Sequence, residues 1–146
     1  MAIADLTDAT VSIAEKETAT PISFIRRYRM KDGSARTNPG FLNPDILHPL
    51  GESDNTVRLV KFARENAKDI ALVAFQTHPD VIGGNKFSAD WPGFARRITE
   101  QTLDNVNCIL VNGCQGDTNH LDFSKPGLET HEERYAHSRF MGQTIS

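Results

Sequence analysis

An α/β fold is predicted, a mixed β-sheet with flanking helices, and three observations predict it. Ile70 to Phe75 and Val106 to Val111 are short, nearly unbroken apolar runs with the β-favouring character of strands covered on both faces. Between them, Asp90 to Leu103 carries Phe94, Ile98 and Leu103 near helical spacing, so a helix joins the two strands. Upstream, Ile22 to Met30 is rich in β-formers and runs into the turn signal Lys31-Asp32-Gly33-Ser34, which predicts a hairpin.

The return strand of that hairpin is short and ends before Asn38-Pro39-Gly40. From Asn38 to Asn55 three prolines, two glycines and several Asn and Asp residues predict a long loop without regular structure, lying over the surface or across the mouth of a site. Val57 to Asp69 fits either an alternating strand or an amphipathic helix; the strand is preferred, with Glu65 to Asp69 as the turn into the next. Asp90 or Ser88 is placed to cap the following helix, Pro92 suits its first turn, and Arg96, Arg97 and Glu100 form its polar face. After an irregular stretch from Leu121 to Thr130, His131 to Ile145 reads as a second helix with Tyr135, Phe140, Met141 and Ile145 as its apolar surface. This helix reaches Ser146 without a stop signal, the pattern expected of a fragment.

The chain has 146 residues, enough for one domain over 1–146, with residues 1–20 contributing least to that assignment. Apolar residues are 38% and charged residues 24%, well short of the signature of disorder. Net charge is −3 and the one dense basic cluster, Arg26, Arg27 and Arg29, falls inside a strand candidate, so no nucleic-acid partner is expected. No segment approaches the roughly 20 apolar residues of a membrane helix, and the opening residues have neither the basic nor the apolar region of a signal peptide. Cys108 and Cys114 match no zinc or redox spacing and read as free thiols.

Chemistry concentrates after the two apolar runs, where ligands in α/β sheets gather. His78 follows the first, in Gln76-Thr77-His78-Pro79-Asp80, with Gly83-Gly84 beyond. A neutral imidazole there is able to bind zinc, with Asp80 or a backbone carbonyl fixing its tautomer; alternatively it caps the strand end. Gly116-Asp117-Thr118-Asn119-His120 follows the second, packing a carboxylate, a hydroxyl, an amide and an imidazole behind a glycine that permits close backbone approach. The same residues also suit an Asx-type turn or a helix cap. No phosphate-binding glycine loop, GxSxG elbow or HExxH helix is present, so nucleotide binding and the commonest hydrolase motifs find no support.

Three segments together, ISFIRRYRMKDGSARTNPGFLNPDIL, FQTHPDVIGGNKFSADWPGFARR and NCILVNGCQGDTNHLDF, resemble the N-terminal catalytic domain of the neutral/alkaline non-lysosomal ceramidase family, above all its bacterial relatives. The resemblance runs in order from about Ile22 to the end and implies that this chain is an incomplete portion of a larger α/β catalytic domain. It implies a zinc ion held by two histidines, a glutamate and a tyrosine, activating water for attack on the amide of an N-acyl lipid-like substrate. His78 matches one family histidine. The other belongs to an upstream THTHSGP-like segment that this chain lacks, and the glutamate and tyrosine belong to residues farther downstream. An NxGDVSPN-like stretch of the family matches Asn112 to His120, with Asn119 at the position of its serine, so the serine's role passes to Thr118 or His120 or is lost. The implied sites are His78 for zinc and Asp117, Thr118, Asn119 and His120 for catalysis, with Asp117 or His120 orienting water or substrate.

The rival reading is a non-catalytic binding or structural module in which these residues only cap turns and helices. The enzyme reading requires His78 and the Asp117 to His120 loop to meet at the carboxyl ends of adjacent strands, bordered by the Asn38 to Asn55 loop. A single histidine should hold zinc weakly, so the isolated chain is expected to be inactive. A partial domain also leaves apolar faces and strand edges uncovered, which predicts a homo-oligomer.

Overall fold

The structure, a computed structural model, describes residues 2–85 and 87–146. Its main sheet has four strands in the order β1 (Ala9–Glu17), β6 (Thr56–Arg64), β7 (Asp69–Phe75) and β8 (Val106–Asn112). The β1–β6 and β6–β7 pairs are antiparallel and β7–β8 is parallel. A parallel pair cannot be closed by a tight turn, and α1 (Asp90–Thr102) supplies the crossover. The second helix, α2 (His131–Ile145), packs against α1. The mixed α/β architecture is the predicted one.

Smaller pieces complete the fold. A three-stranded sheet has the order β4 (Ala35–Thr37), β3 (Arg27–Met30), β5 (Ile46–Pro49), and a two-residue ladder joins β2 (Phe24–Ile25) to β9 (Thr118–Asn119). The hairpin is therefore real, but the run Ile22 to Met30 splits at Arg26 between two sheets. The stretch from Asn38 to Asn55 is not wholly irregular, as β5 pairs with β3. Pro49, which lacks an N–H, ends that strand at the sheet's edge, where the loss costs little.

Helical periodicity located both helices, but their buried faces differ from those predicted. In α1, Trp91, Ala95 and Thr99 are buried, and in α2, Ser138, Met141, Gly142 and Ile145. Tyr135 and Phe140 remain 37% and 43% exposed, so they are not the packing surface of α2. Where a cap was expected from Asp90 or Ser88, Ala89 holds the cap position without a side-chain bond, and Ser88 Oγ accepts from the Asp90 N–H at 3.0 Å. The start of α2 carries a reciprocal capping box between Thr130 and Glu133.

The core joins one face of the sheet to the helices through Ala71, Val73, Phe75, Val106, Cys108, Trp91, Ala95, Met141 and Ile145. Phase alternates strictly along β7 and β8, so neither is covered on both faces as predicted; Ile109 and Val111 are 49% and 46% exposed. Strand β8 is an edge strand. Cys108 and Cys114 are free, the first buried and the second exposed. Asn55 connects the layers: its Oδ1 accepts from the N–H groups of Ile22 and Ser23, both at 2.9 Å, and its Nδ2 donates to Ser23 O at 3.1 Å. Among the described residues no helix is long and apolar enough to cross a membrane.

Candidate functional site

Parallel pairing of β7 and β8 sets both carboxyl ends side by side, in register from Asp69↔Val106 to Phe75↔Asn112. The chain leaving β7 is then held by the chain leaving β8. Gly113 N–H donates to Phe75 O at 3.0 Å, Asn112 Nδ2 to Thr77 O at 3.1 Å, and His78 N–H to Thr118 O at 3.3 Å. The two segments pass closely at Gly113, where an added Cβ would lie 3.1 Å from Gln76 Cβ. Gly116 has no such constraint, with nothing within 4 Å of an added Cβ, so the close approach expected there occurs three residues earlier.

His78 and the segment Asp117 to His120 therefore come together. The His78 ring Nδ1 lies 2.7 Å from Thr118 O. A carbonyl only accepts, so this contact makes Nδ1 the protonated nitrogen of the neutral ring and leaves a lone pair on Nε2. The tautomer is set by the carbonyl and not by Asp80, whose Oδ1 instead lies 3.1 Å from His120 Nδ1. The His120 side chain is 7% exposed, against 50% for Asp80. Burial pushes the Asp80 carboxyl up, but the hydrogen bond from His120 and the neighbouring His120 and His78 rings outweigh it and hold it below the ordinary range.

The remaining three candidates make structural contacts. Asn119 is 1% exposed; its Oδ1 accepts from Leu121 N–H at 3.0 Å and its Nδ2 donates to Asn38 Oδ1 at 3.1 Å. Thr118 is 4% exposed, its hydroxyl 3.4 Å from Gln76 O. Asp117 is exposed, and its carbonyl accepts from Arg26 N–H at 2.8 Å. Asn38, at the start of the Asn38 to Asn55 segment, borders this site as expected, with a left-handed φ of 50° that asparagine tolerates.

Arg26 and His137 were not among the predicted site residues, and Asp80 was expected beside His78. Arg26 Nη2 donates to Gly116 O at 2.7 Å, bringing a guanidinium against the loop. Asp80 serves His120. His137, on α2, has its ring 5.7 Å from that of His120, and both line a cavity of about 250 Å³ with Phe24, Phe41 and Phe140. The sequence placed His137, with Tyr135 and Arg139, on a solvated and packed helix. Burial, followed by the proximity of His120, lowers its pKa.

A histidine with a depressed folded pKa binds fewer protons folded than unfolded, so its contribution is lost as pH falls below the unfolded value of about 6.5. The urea midpoint is expected to fall between pH 7 and pH 5, and His137→Gln should flatten that slope. An unchanged slope in the variant would place the titration elsewhere.

Among the described residues no three His, Cys, Asp or Glu side chains group closely enough to hold a metal ion. His78, with Nδ1 occupied by a carbonyl and Nε2 free, has the arrangement of a zinc-ligating histidine, and so fits one corner of such a site.

Two solved structures are similar to this chain. Neutral ceramidase from Pseudomonas aeruginosa is 17% identical, with a TM-score of 0.61, over 95% of this chain and 22% of that one. A ceramidase complexed with C2 is 17% identical, with a TM-score of 0.65, over 95% of this chain and 21% of that one. The fold is similar to that of part of these ceramidases. The chain spans about a fifth of the length of these structures. No family model matches the sequence, and no curated protein matches it.

Proposed function

We propose that this chain is the His78-bearing part of a zinc-dependent hydrolase that cleaves the amide bond of a lipid-like N-acyl compound. The observation that carries the reading is the His78 Nδ1 contact with Thr118 O, which presents Nε2 as a free ligand at the carboxyl end of a sheet strand. The similarity in fold to neutral ceramidase supports the substrate class. Zinc, when bound, supplies a Lewis acid and a water of lowered pKa. His78 would be one of its ligands, through Nε2. His120 orients water or substrate: its Nδ1–H donates to Asp80, which leaves Nε2 to accept a proton. Arg26 and Gly116 brace the loop carrying Asp117, and Asn119 fastens it to Asn38. Asn119, at the matched serine position, is buried and fully bonded, so it acts here as a tie.

The second reading, a non-catalytic binding or structural module, draws on the same buried bonds of Thr118 and Asn119. Zinc titration of the imidazole resonances separates the two. His78 should respond first and His78→Ala should abolish that response while leaving the exposed His48 and His131 as weak, independent binders. A zinc response confined to His48 and His131 would sink the hydrolase reading.

A further inference from the structure

The cavity of about 250 Å³ beside the candidate site is walled by four separate stretches of this chain, within 20–24, at Phe41, within 120–128, and on α2 at His137 and Phe140. Its walls are mainly apolar, with the rings of Phe24, Phe41 and Phe140 among them. The opposite charges at its edge are paired, since Lys125 Nζ lies 2.9 Å from Asp122 Oδ2. A concave apolar site with a few convergent polar groups is the usual form of a small-molecule pocket, and here two of the polar groups are imidazoles.

The chain leaves hydrogen-bonding capacity unused on both rings. His120 Nδ1–H donates to Asp80, so in the neutral ring Nε2 carries a lone pair and only accepts. Among the described residues, Asp80 is the one hydrogen-bond partner of that ring. His137 Nε2 is buried with no partner at all. Leaving a buried nitrogen unpaired is unfavourable, and such groups are few in folded proteins. Burial holds the His137 pKa below the ordinary histidine range, so the ring is neutral near pH 7 and keeps one N–H to donate. The two rings, 5.7 Å apart between centroids, thus offer an acceptor and a donor side by side.

We propose that this cavity binds an uncharged alcohol with an apolar or aromatic body, its hydroxyl lodged between His120 and His137. The O–H donates to His120 Nε2, and the same oxygen accepts from the His137 ring N–H. One oxygen serves both nitrogens when they are about 4 to 5 Å apart, a gap within the span of rings at this spacing. The N–H and C=O of an amide leave on opposite sides and need a wider gap. A carboxylate has no proton to give Nε2 and meets a lysine that is already paired. A cavity of ~150 Å³ takes benzene, so one of about 250 Å³ has room for a body of about ten carbon atoms. The inference deepens the proposed function by naming the group that His120 orients; it rests on that reading for His120 alone and requires neither zinc nor His78.

The probe is 3-phenylpropan-1-ol, titrated into the zinc-free chain at neutral pH while the imidazole resonances are followed, so that the outcome is separate from the zinc response of His78. The His120 and His137 resonances should shift and saturate at concentrations on the order of 1 mM, the affinity expected of about ten heavy atoms. The methyl ether of the probe, which cannot donate, and 3-phenylpropanoate, which is charged, should each bind about tenfold more weakly. His137→Leu removes a ring nitrogen that has no partner to lose, and Phe140→Ala removes a wall that is 43% exposed, so neither should unfold the chain. Each should weaken binding of the alcohol about tenfold, and with folding read by circular dichroism either one suffices. Shifts confined to His48, His78 or His131 overturn the proposal, as do equal binding of alcohol and ether and undiminished binding in a folded variant.

Discussion

Replacing Asp90 with alanine is expected to destabilise the protein by ~3–5 kcal/mol, the range for stripping partners from a buried charged network. The residue is 5% exposed and its carboxylate gathers three donors from three parts of the chain. Ile82 N–H donates at 2.9 Å, Trp91 N–H at 2.6 Å and Ser138 O–H at 2.7 Å. Alanine leaves all three without an acceptor, and burial makes that costly. It also puts a non-polar residue at a φ of 49°, a left-handed value that aspartate tolerates better. Urea unfolding of Asp90→Ala, Asp90→Gly and Asp90→Asn separates the contributions: glycine relieves only the backbone, and asparagine keeps one acceptor oxygen. A loss below about 1 kcal/mol in the alanine variant would mean that the carboxylate does not hold the His78–Asp90 segment to the helices.

The second large effect is expected at Gly142. Helices α1 and α2 cross there, and an added Cβ would lie 2.8 Å from Ala95 N and 3.0 Å from Phe94 C. Those are backbone atoms, so no rotamer change relieves the clash and the helices must move apart. Gly142→Ala should cost ~3 kcal/mol, the upper part of the overpacking range, although alanine is the better helix former. Thermal unfolding followed by circular dichroism reads the effect. A stabilised Gly142→Ala would show that the helices do not approach this closely. The consequence reaches the candidate site, because α2 carries both Ser138, which bonds Asp90, and His137, which faces His120.

Local pattern carried the fold class. Ile70 to Phe75 and the alternation of Val57 to Phe62 were legible as strands, and the 90–102 helix was legible from its spacing, because a residue's periodicity depends only on its near neighbours. The long strand β1 passed unread: Ala9–Glu17 is exposed along its whole length and so carries little hydrophobic alternation. Ile46–Pro49 was hidden by its surroundings of proline and glycine, and it is a strand only because β3 offers an edge to pair with. Covered and uncovered faces were misjudged for β7 and β8, whose apolar runs look the same whether one face is buried or two.

The candidate site divides in the same way. That chemistry collects after β7 and after β8 was readable from position, and so were His78 and the Asp117–His120 segment. Which partner each takes was not. Asp80 stands two residues from His78 yet serves His120, forty residues away, while His78 takes the carbonyl of Thr118. The sequence by itself determined the α/β class, the order of the elements and the two polar strand ends, since these follow from local propensity and hydrophobic period. Only the tertiary structure decided the imidazole tautomer, the Asp80–His120 and Asp90–Ser138 pairs and the uncovered sheet face, because hydrogen bonds and burial depend on which distant segments the parallel pairing of β7 and β8 brings within about 3 Å.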